Sequence, residues 1–277
     1  MEPDFDKKLH NCITCGSTNI RHRLTEYRSV NIDECECGMQ FMNPQYSDAY
    51  LERYYSNYIG DGSLDFWREA SVYCADWYLS LVEKCGATPG RLLDVGCGNG
   101  YLLEAARERG WTVTGYDVDP ATTSRVAKRL GVTIFSGEFS EIAGQYDLVT
   151  MHQVLEHLKN PAEYLSKIHS MLASGGYIFI AVPNIKSLSN RMKSWLETLR
   201  FRRKRIGKYY DADHHIGYYS PPVLKNFLER YGFEVLLVRN CHSARPNQSK
   251  LKRILMRNIT ERLFWKSTFL VIARKAN

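Results

Sequence analysis

From residue 90 onward, short apolar runs alternate with stretches of helical periodicity. RLLDVG is followed by YLLEAARERG and TVTGYDV by PATTSRVAKRLG. VTIFSG and YDLVTMH lead to PAEYLSKIHSMLASGG, and YIFIAVPN closes the series. Repeated strand–helix units predict an α/β fold, a mostly parallel sheet with helices on both faces. The later runs FEVLLVRN and TFLVIARK bring the sheet to about seven strands. SPPVLKNFLERYG, just before them, reads as a helix. Ser220 is placed to cap it, Pro221 to fill its first turn and Gly232 to end it. Upstream, SLDFWREASVYCADWYLSLVEKCG sets Phe66, Ala70, Tyr73, Trp77 and Leu81 at helical spacing. Residues 1–44 show little apolar periodicity. The pattern divides the chain into a small N-terminal module (1–44), a helical extension (45–88) and an α/β domain (89–277) carrying an insertion at 185–220.

Open α/β sheets bind ligands beyond the carboxyl ends of their strands. The first strand of the series ends there in DVGCGNG. Gly96, Gly98 and Gly100 give G-x-G-x-G, which departs from the dinucleotide fingerprint, and no Gly-Lys-Ser/Thr follows to make a P-loop. An ionised Asp94 would repel a pyrophosphate. A ligand with positive charge and no phosphate suits it, and S-adenosylmethionine carries a sulfonium and an ammonium. Asp117, 17 residues past Gly100 in GYDVDP, is spaced to bind ribose hydroxyls. The competing reading is a tight turn with a surface acid.

The cysteines add a second theme. Cys12-x-x-Cys15 and Cys35-x-Cys37 supply two close pairs, the pattern of a structural zinc ion with four thiolates. Zinc would stabilise a segment poor in apolar residues. The second pair is tight, so other readings stay open: altered geometry, His10 or His22 as a replacement ligand, or free buried thiols. Cys74, Cys85, Cys97 and Cys241 show no pairing pattern.

These stretches resemble the class I S-adenosylmethionine-dependent methyltransferases over about residues 90–277. LLDVGCGNG resembles their first motif, GYDVDP their second, YDLVTMHQVLEHLKNP the region of the fourth strand and LASGGYIFIAVPN the fifth. HHIGYYSPPVLKNFLERYGFEV is similar to a late segment of the branch holding ubiquinone-pathway O-methyltransferases and many sugar and polysaccharide methyltransferases. CITCGS and CECGMQFMNP, followed by YLERYYSNY, resemble the zinc-ribbon prefix of bacterial members of that branch, which usually have C-x-x-C in the second pair. The resemblance implies a Rossmann-like seven-stranded sheet with S-adenosylmethionine as donor. It implies a donor site of Asp94, Gly96, Cys97, Gly98, Asn99, Gly100, Asp117, Val118, Glu138, Phe139, Met151, His152 and Gln153. It places His157 toward the acceptor and Cys12, Cys15, Cys35 and Cys37 on zinc.

Methylating a hydroxyl calls for alignment and a base. If a helix follows MHQVLEH, Gln153 and His157 share one of its faces. His157 is then the first candidate base, against the reading of a histidine that only caps or packs. His214 and His215 in YYDADHHIGYYS are the second, with Asp211 and Asp213 able to orient them. On a strand the two histidines would point to opposite sides. The alternative for that patch is a polar turn. No Asp/Asn-Pro-Pro-Tyr/Phe follows the fourth strand, and NPQY at 43–46 lies far upstream. That favours oxygen as the acceptor atom, with carbon second. The expected reaction is O-methylation of a small molecule or glycan, such as a sugar, nucleotide sugar or polysaccharide precursor.

The net charge of +7 also admits a nucleic-acid partner. Between Cys12 and Cys37, however, Arg21, Arg23 and Arg28 face Glu26, Asp33, Glu34 and Glu36, so no nucleic acid is expected. With no apolar leader and no apolar run of membrane length, a cytoplasmic protein is expected. The segment at 187–210 sets Leu188, Met192, Trp195, Leu196 and Leu199 at helical spacing, ahead of Arg200, Arg202, Arg203, Lys204 and Arg205. It reads as a lid over an anionic acceptor, with helix-end charge, a solvated loop and peripheral membrane contact as alternatives.

Overall fold

The computed structural model describes residues 3–56, 64–198, 206–241 and 268–276. Strands β1 (Ile20–Thr25), β2 (Asn31–Cys35) and β3 (Gln40–Met42) form an antiparallel meander. Helices α1 (Asp48–Ser56) and α2 (Leu64–Lys84) follow. Alternating units then run β4 (Arg91–Val95), α3 (Tyr101–Glu108), β5 (Thr112–Tyr116), α4 (Pro120–Leu130), β6 (Thr133–Phe135), β7 (Tyr146–His152), α5 (Pro161–Met171) and β8 (Leu172–Pro183). After β8 come α6 (Leu188–Thr198), β9 (Gly217–Tyr218), α7 (Pro221–Arg230), β10 (Phe233–Asn240) and β11 (Thr268–Lys275).

The large sheet has seven strands in the order β10-β11-β8-β7-β4-β5-β6. β4 to β8 are parallel, and β11 runs antiparallel to both neighbours. This is the Rossmann-like sheet expected from the sequence. The chain leaves β4 toward β5 and returns on β4's other side as β7, so the switch in strand order lies between β4 and β7. The alternation of strand side chains fills two cores. Leu93, Val149, Ile180 and Val271 pack with α5, α7 and the N-terminal Met39 and Phe41. Leu92, Leu148, Phe179 and Leu270 pack with α2 and α3 on the other face.

The small sheet closes with a strand from far along the chain. β9 pairs antiparallel with β3, Gln40 opposite Tyr218 and Phe41 opposite Gly217. A third core, including Ile32, Met42, Tyr46, Tyr210 and Tyr218, lies beneath this junction. Asn43 of NPQY serves the fold locally, its side chain bonding the Leu9 backbone and Asp33.

Two local expectations change. Ser220 occupies the cap position of α7 but makes no capping bond, and its buried hydroxyl has no partner among the described residues. Pro221 and Pro222 leave the first turn without two of the N–H donors a cap would serve. The apolar face of α2 is covered from Ala70 onward, while Phe66 is 58% exposed. Among the described residues, no helix is long and apolar enough to cross a membrane.

Candidate active site

Three backbone N–H groups hold the glycine loop to the end of β5. Gly96 N and Cys97 N both donate to Tyr116 O, at 2.7 and 2.9 Å, tying the loop to the end of β5. Gly98 N donates to Asp117 Oδ2 at 2.8 Å. Gly96 and Gly100 have φ of 71°, and a Cβ there would come within 2.4 Å of Val154 and 2.6 Å of Val126 respectively. Glycine is therefore required by conformation and by packing at both. Asp94 is buried at the end of β4 and accepts from Thr150 Oγ1 on β7 at 2.7 Å. Burial pushes its carboxyl up to about 7, against the pull of that bond. Asp117 Oδ1 accepts from Asp119 N at 3.1 Å. Each Asp117 oxygen thus takes one backbone bond and keeps further acceptor capacity.

The other donor-site candidates surround this floor. Val118 is 56% exposed beside Asp117. Asn99 Oδ1 accepts from Arg125. Cys97 turns its side chain into the core, where burial raises its thiol, and so offers only backbone to the loop. Glu138 is exposed, whereas Phe139 is buried between the rings of Tyr116 and Tyr164. Met151 is buried, and His152 is exposed at the end of β7, its ring 5.4 Å from that of Tyr78 on α2.

No α-helix begins directly after β7; α5 starts only at Pro161. Gln153 adopts φ 58°, its N–H donates to Ala181 O, and a 3₁₀ turn spans Leu155–His157. The face-sharing expected of Gln153 and His157 is replaced by a sharp turn. It brings His157 against His214 and His215, with ring centroids 5.2 and 5.0 Å away. The adjacent histidines lie in a turn before β9, not on a strand, so both rings converge on His157 and lie 4.4 Å from each other.

The hydrogen bonds fix two tautomers. His157 Nδ1 lies 3.0 Å from His214 O, and His215 Nδ1 lies 3.3 Å from Tyr210 O. A carbonyl can only accept, so each Nδ1 carries its hydrogen and each Nε2 keeps a lone pair. Tyr55 OH stands 3.1 Å from His157 Nδ1, and Tyr54 OH 3.2 Å from His214 Nδ1. Burial pushes His157 down to about 3 and His215 to about 4, and lowers His214. Glu156, 4.0 Å from His157 Nε2, is buried, neither carboxylate oxygen has a hydrogen-bond partner among the described residues, and burial raises it to about 8. The site at neutral pH thus holds three uncharged imidazoles and a protonated carboxyl. The nitrogens lie within 4.8 Å of one another, a grouping that could hold a metal ion. Asp213 is engaged by Arg28 instead of orienting a histidine.

The ribbon cysteines also converge. All four sulfurs lie within 4.8 Å of one another, with Cys12–Cys37 at 3.8 Å and Cys15–Cys35 at 3.5 Å. Thiolates about 2.3 Å from a tetrahedral zinc ion are about 3.8 Å apart. The donor set and its spacing therefore fit zinc, with four thiolates and no open position. His22 is turned to Asp33 and is not needed as a ligand.

Tyr54, Tyr55, Thr150 and Glu156 fall inside stretches that resemble the family, but nothing there singles them out, and Tyr78 lies in no such stretch. The aromatic density at 45–85 is the available signal for the tyrosines, but nothing local says which ring meets which histidine. Of the lid segment, α6 is described, and Leu188, Met192 and Trp195 on it are exposed. Leu199 and the cations Arg200, Arg202, Arg203, Lys204 and Arg205 lie outside the described residues.

Residues 66–238 match the family model described as "Methyltransferase domain". A ubiquinone biosynthesis O-methyltransferase of Pseudomonas aeruginosa is 33% identical over 111 residues, covering 37% of this chain and 48% of that protein. The chain thus spans about half the length of the curated relatives it matches. Two solved structures share the fold. An S-adenosylmethionine-dependent methyltransferase from Mesorhizobium loti has TM-score 0.51 and 18% identity, covering 72% of this chain and 97% of its own. The 1,6-didemethyltoxoflavin-N1-methyltransferase of Burkholderia thailandensis, solved with S-adenosylhomocysteine, has TM-score 0.53 and 20% identity, with 83% and 86% covered. With its glycine loop, its acid after β5 and a match over more than half its length, the chain belongs to the methyltransferase domain family.

Proposed function

We propose that this protein transfers a methyl group from S-adenosylmethionine to a hydroxyl oxygen of a small molecule or glycan, with a sugar, nucleotide sugar or polysaccharide precursor as the acceptor class. The observation that carries the reading is the pairing, at neighbouring strand ends, of a glycine-and-acid floor with a cluster of neutral histidines. S-adenosylmethionine would supply an electrophilic methyl on sulfur. Asp117 would hold ribose hydroxyls, Asp94 would face positive charge, Val118 and Phe139 would border the base, and Glu138, Met151, His152 and Gln153 would line the rest. The backbone of Gly96, Cys97, Gly98, Asn99 and Gly100 lets the donor approach closely.

The chain's own work is alignment and proton removal. His157 Nε2 takes the hydroxyl proton as the new O–C bond forms, and the S–C bond electrons leave with sulfur as a neutral thioether. His214 and His215 crowd His157 and keep it uncharged until it receives that proton. Zinc on Cys12, Cys15, Cys35 and Cys37 is structural in this reading, and the unbridged cysteines suit a cytoplasmic setting. A nucleic-acid role is disfavoured because Arg21 and Arg23 both pair with Glu34 and Arg28 with Asp213. Methylation of a sugar carbon is the second chemistry the same base would permit.

The test is S-adenosylhomocysteine release across sugars, nucleotide sugars, glycans and phenols. Asp117→Ala should weaken donor binding, each lost charged hydrogen bond being worth about 1.5–3 kcal/mol. Unchanged donor affinity by calorimetry would remove Asp117 from the site.

A further inference from the structure

His215 lines a cavity of about 500 Å³ at the end of β8. A second hollow of about 280 Å³ lies beside it and shares Ile185, Asn190, Tyr209 and Tyr210 with it. The chemistry of the smaller one is different. Arg23, Lys186 and Arg191 line it together with Trp195 and Tyr209, and no carboxylate does so among the described residues. Arg23 is already held, its Nε donating to Tyr210 OH at 2.9 Å and its Nη1 to Glu34 at 3.1 Å. Lys186 and Arg191 are exposed, and neither has an ion pair among the described residues. Lys186 lies two residues before α6 and Arg191 in its first turn, which adds partial positive charge. Arg191 and Trp195 are four residues apart, on one face of α6. Trp195 is 61% exposed, an open ring beside unpaired cations.

Cations without carboxylates bind phosphate through charge-assisted hydrogen bonds. An open aromatic ring beside them offers a stacking surface for a base. We infer that the smaller hollow binds a nucleoside diphosphate: Lys186 and Arg191 hold the diphosphate, and Trp195 or Tyr209 lies against the base. The group joined to the diphosphate then enters the larger cavity, where His215 and its neighbours wait. This deepens the methyltransferase reading and rests on it, since it names the carrier of the hydroxyl.

Tryptophan emission reports on the hollow directly. Uridine or guanosine diphosphate, titrated into protein saturated with S-adenosylhomocysteine, should quench part of the emission and reach saturation. Trp195→Phe should abolish that change. Lys186→Gln combined with Arg191→Gln should weaken binding by about a hundredfold, roughly tenfold per lost contact. S-adenosylhomocysteine affinity, measured on the same samples, should hold, which separates a lost subsite from a misfolded chain. Absence of nucleotide binding by the unaltered protein at millimolar concentration, with S-adenosylhomocysteine still bound, overturns the subsite and leaves the methyltransferase reading standing. Failure to bind S-adenosylhomocysteine would count against that reading itself. Inorganic pyrophosphate binding as tightly as the nucleotides would overturn the base contact. An emission change with phosphatidylglycerol vesicles, and none with nucleotides, would assign α6 to a lipid surface and overturn the proposal.

Discussion

At the scale of single residues, burial sets the protonation of the site. A base works when deprotonated, so turnover falls as pH drops through its pKa. An unperturbed histidine places that fall near 6.5. Burial moves His157 to about 3 and His215 to about 4. Turnover should therefore hold on acidification to about pH 5 and decline only below it. His157→Ala should remove most of it, a positioned base being worth about 10²–10⁴-fold. A fall centred near 6.5 would mean that solvated histidine does the work. Asp94 gives a second pH effect of known sign. It titrates near 7 with no donor bound, and a cationic donor favours its ionised form. Donor affinity should weaken as pH falls below about 7, and Asp94→Asn should flatten that dependence in calorimetry. Gly96→Ala tests the loop without touching charge. Its methyl would collide with Val154 at a φ of 71°. The left-handed backbone alone costs about 1–2 kcal/mol for an L-residue, so both melting temperature and donor affinity should drop.

At the scale of elements, the site is where a turn, a two-residue strand and the cysteine cluster meet. Ile216 N donates to Glu156 O at 2.8 Å, and Gly217 pairs with Phe41 two strands from the cysteines. Purified protein should contain about one zinc ion per chain. A second ion would place metal on the histidine cluster. Cys12→Ser or chelation should lower the melting temperature and cut acceptor turnover more than donor affinity, because β9 loses its support while β4 and β5 do not. The sequence disclosed these elements unevenly. RLLDV and YIFIAVP read as strands because strands buried on both faces are continuous apolar runs. The glycine loop and Asp117 were legible because their spacing follows local geometry. β9 was not, since two residues have no period and their partner lies 178 positions upstream, as Gln40 opposite Tyr218 shows. The turn at Gln153 was hidden for another reason. A positive φ on a residue other than glycine is imposed by tertiary contacts, here the bond from Gln153 N to Ala181 O.

At the scale of the whole molecule, the glycine-and-acid half of the site comes from contiguous sequence and the histidine half from segments far apart. Tyr46 OH donates to Ala212 O, and Tyr210 OH to Gln40 Oε1, each at 2.9 Å. Met39 and Phe41 enter the same core as Leu93 and Ile180, and Ile32 and Met42 share theirs with Tyr210 and Tyr218. The first 46 residues therefore build the wall behind the histidines and part of the core below the large sheet. All four of those N-terminal side chains are fully buried. At about 1.5–3 kcal/mol each, their burial is comparable to the whole net stability of a typical domain, about 5–15 kcal/mol. A chain starting at residue 47 should accordingly lose its cooperative unfolding transition and expose apolar surface to dye, although every strand of the large sheet is retained. Calorimetric scanning with and without S-adenosylhomocysteine checks this. A cooperative transition that the ligand still raises would show that the large sheet stands alone and that the cysteine module is an appendage. The expected result is that it is a wall of the active site, so that whatever disturbs the zinc ligands disturbs acceptor selection as well.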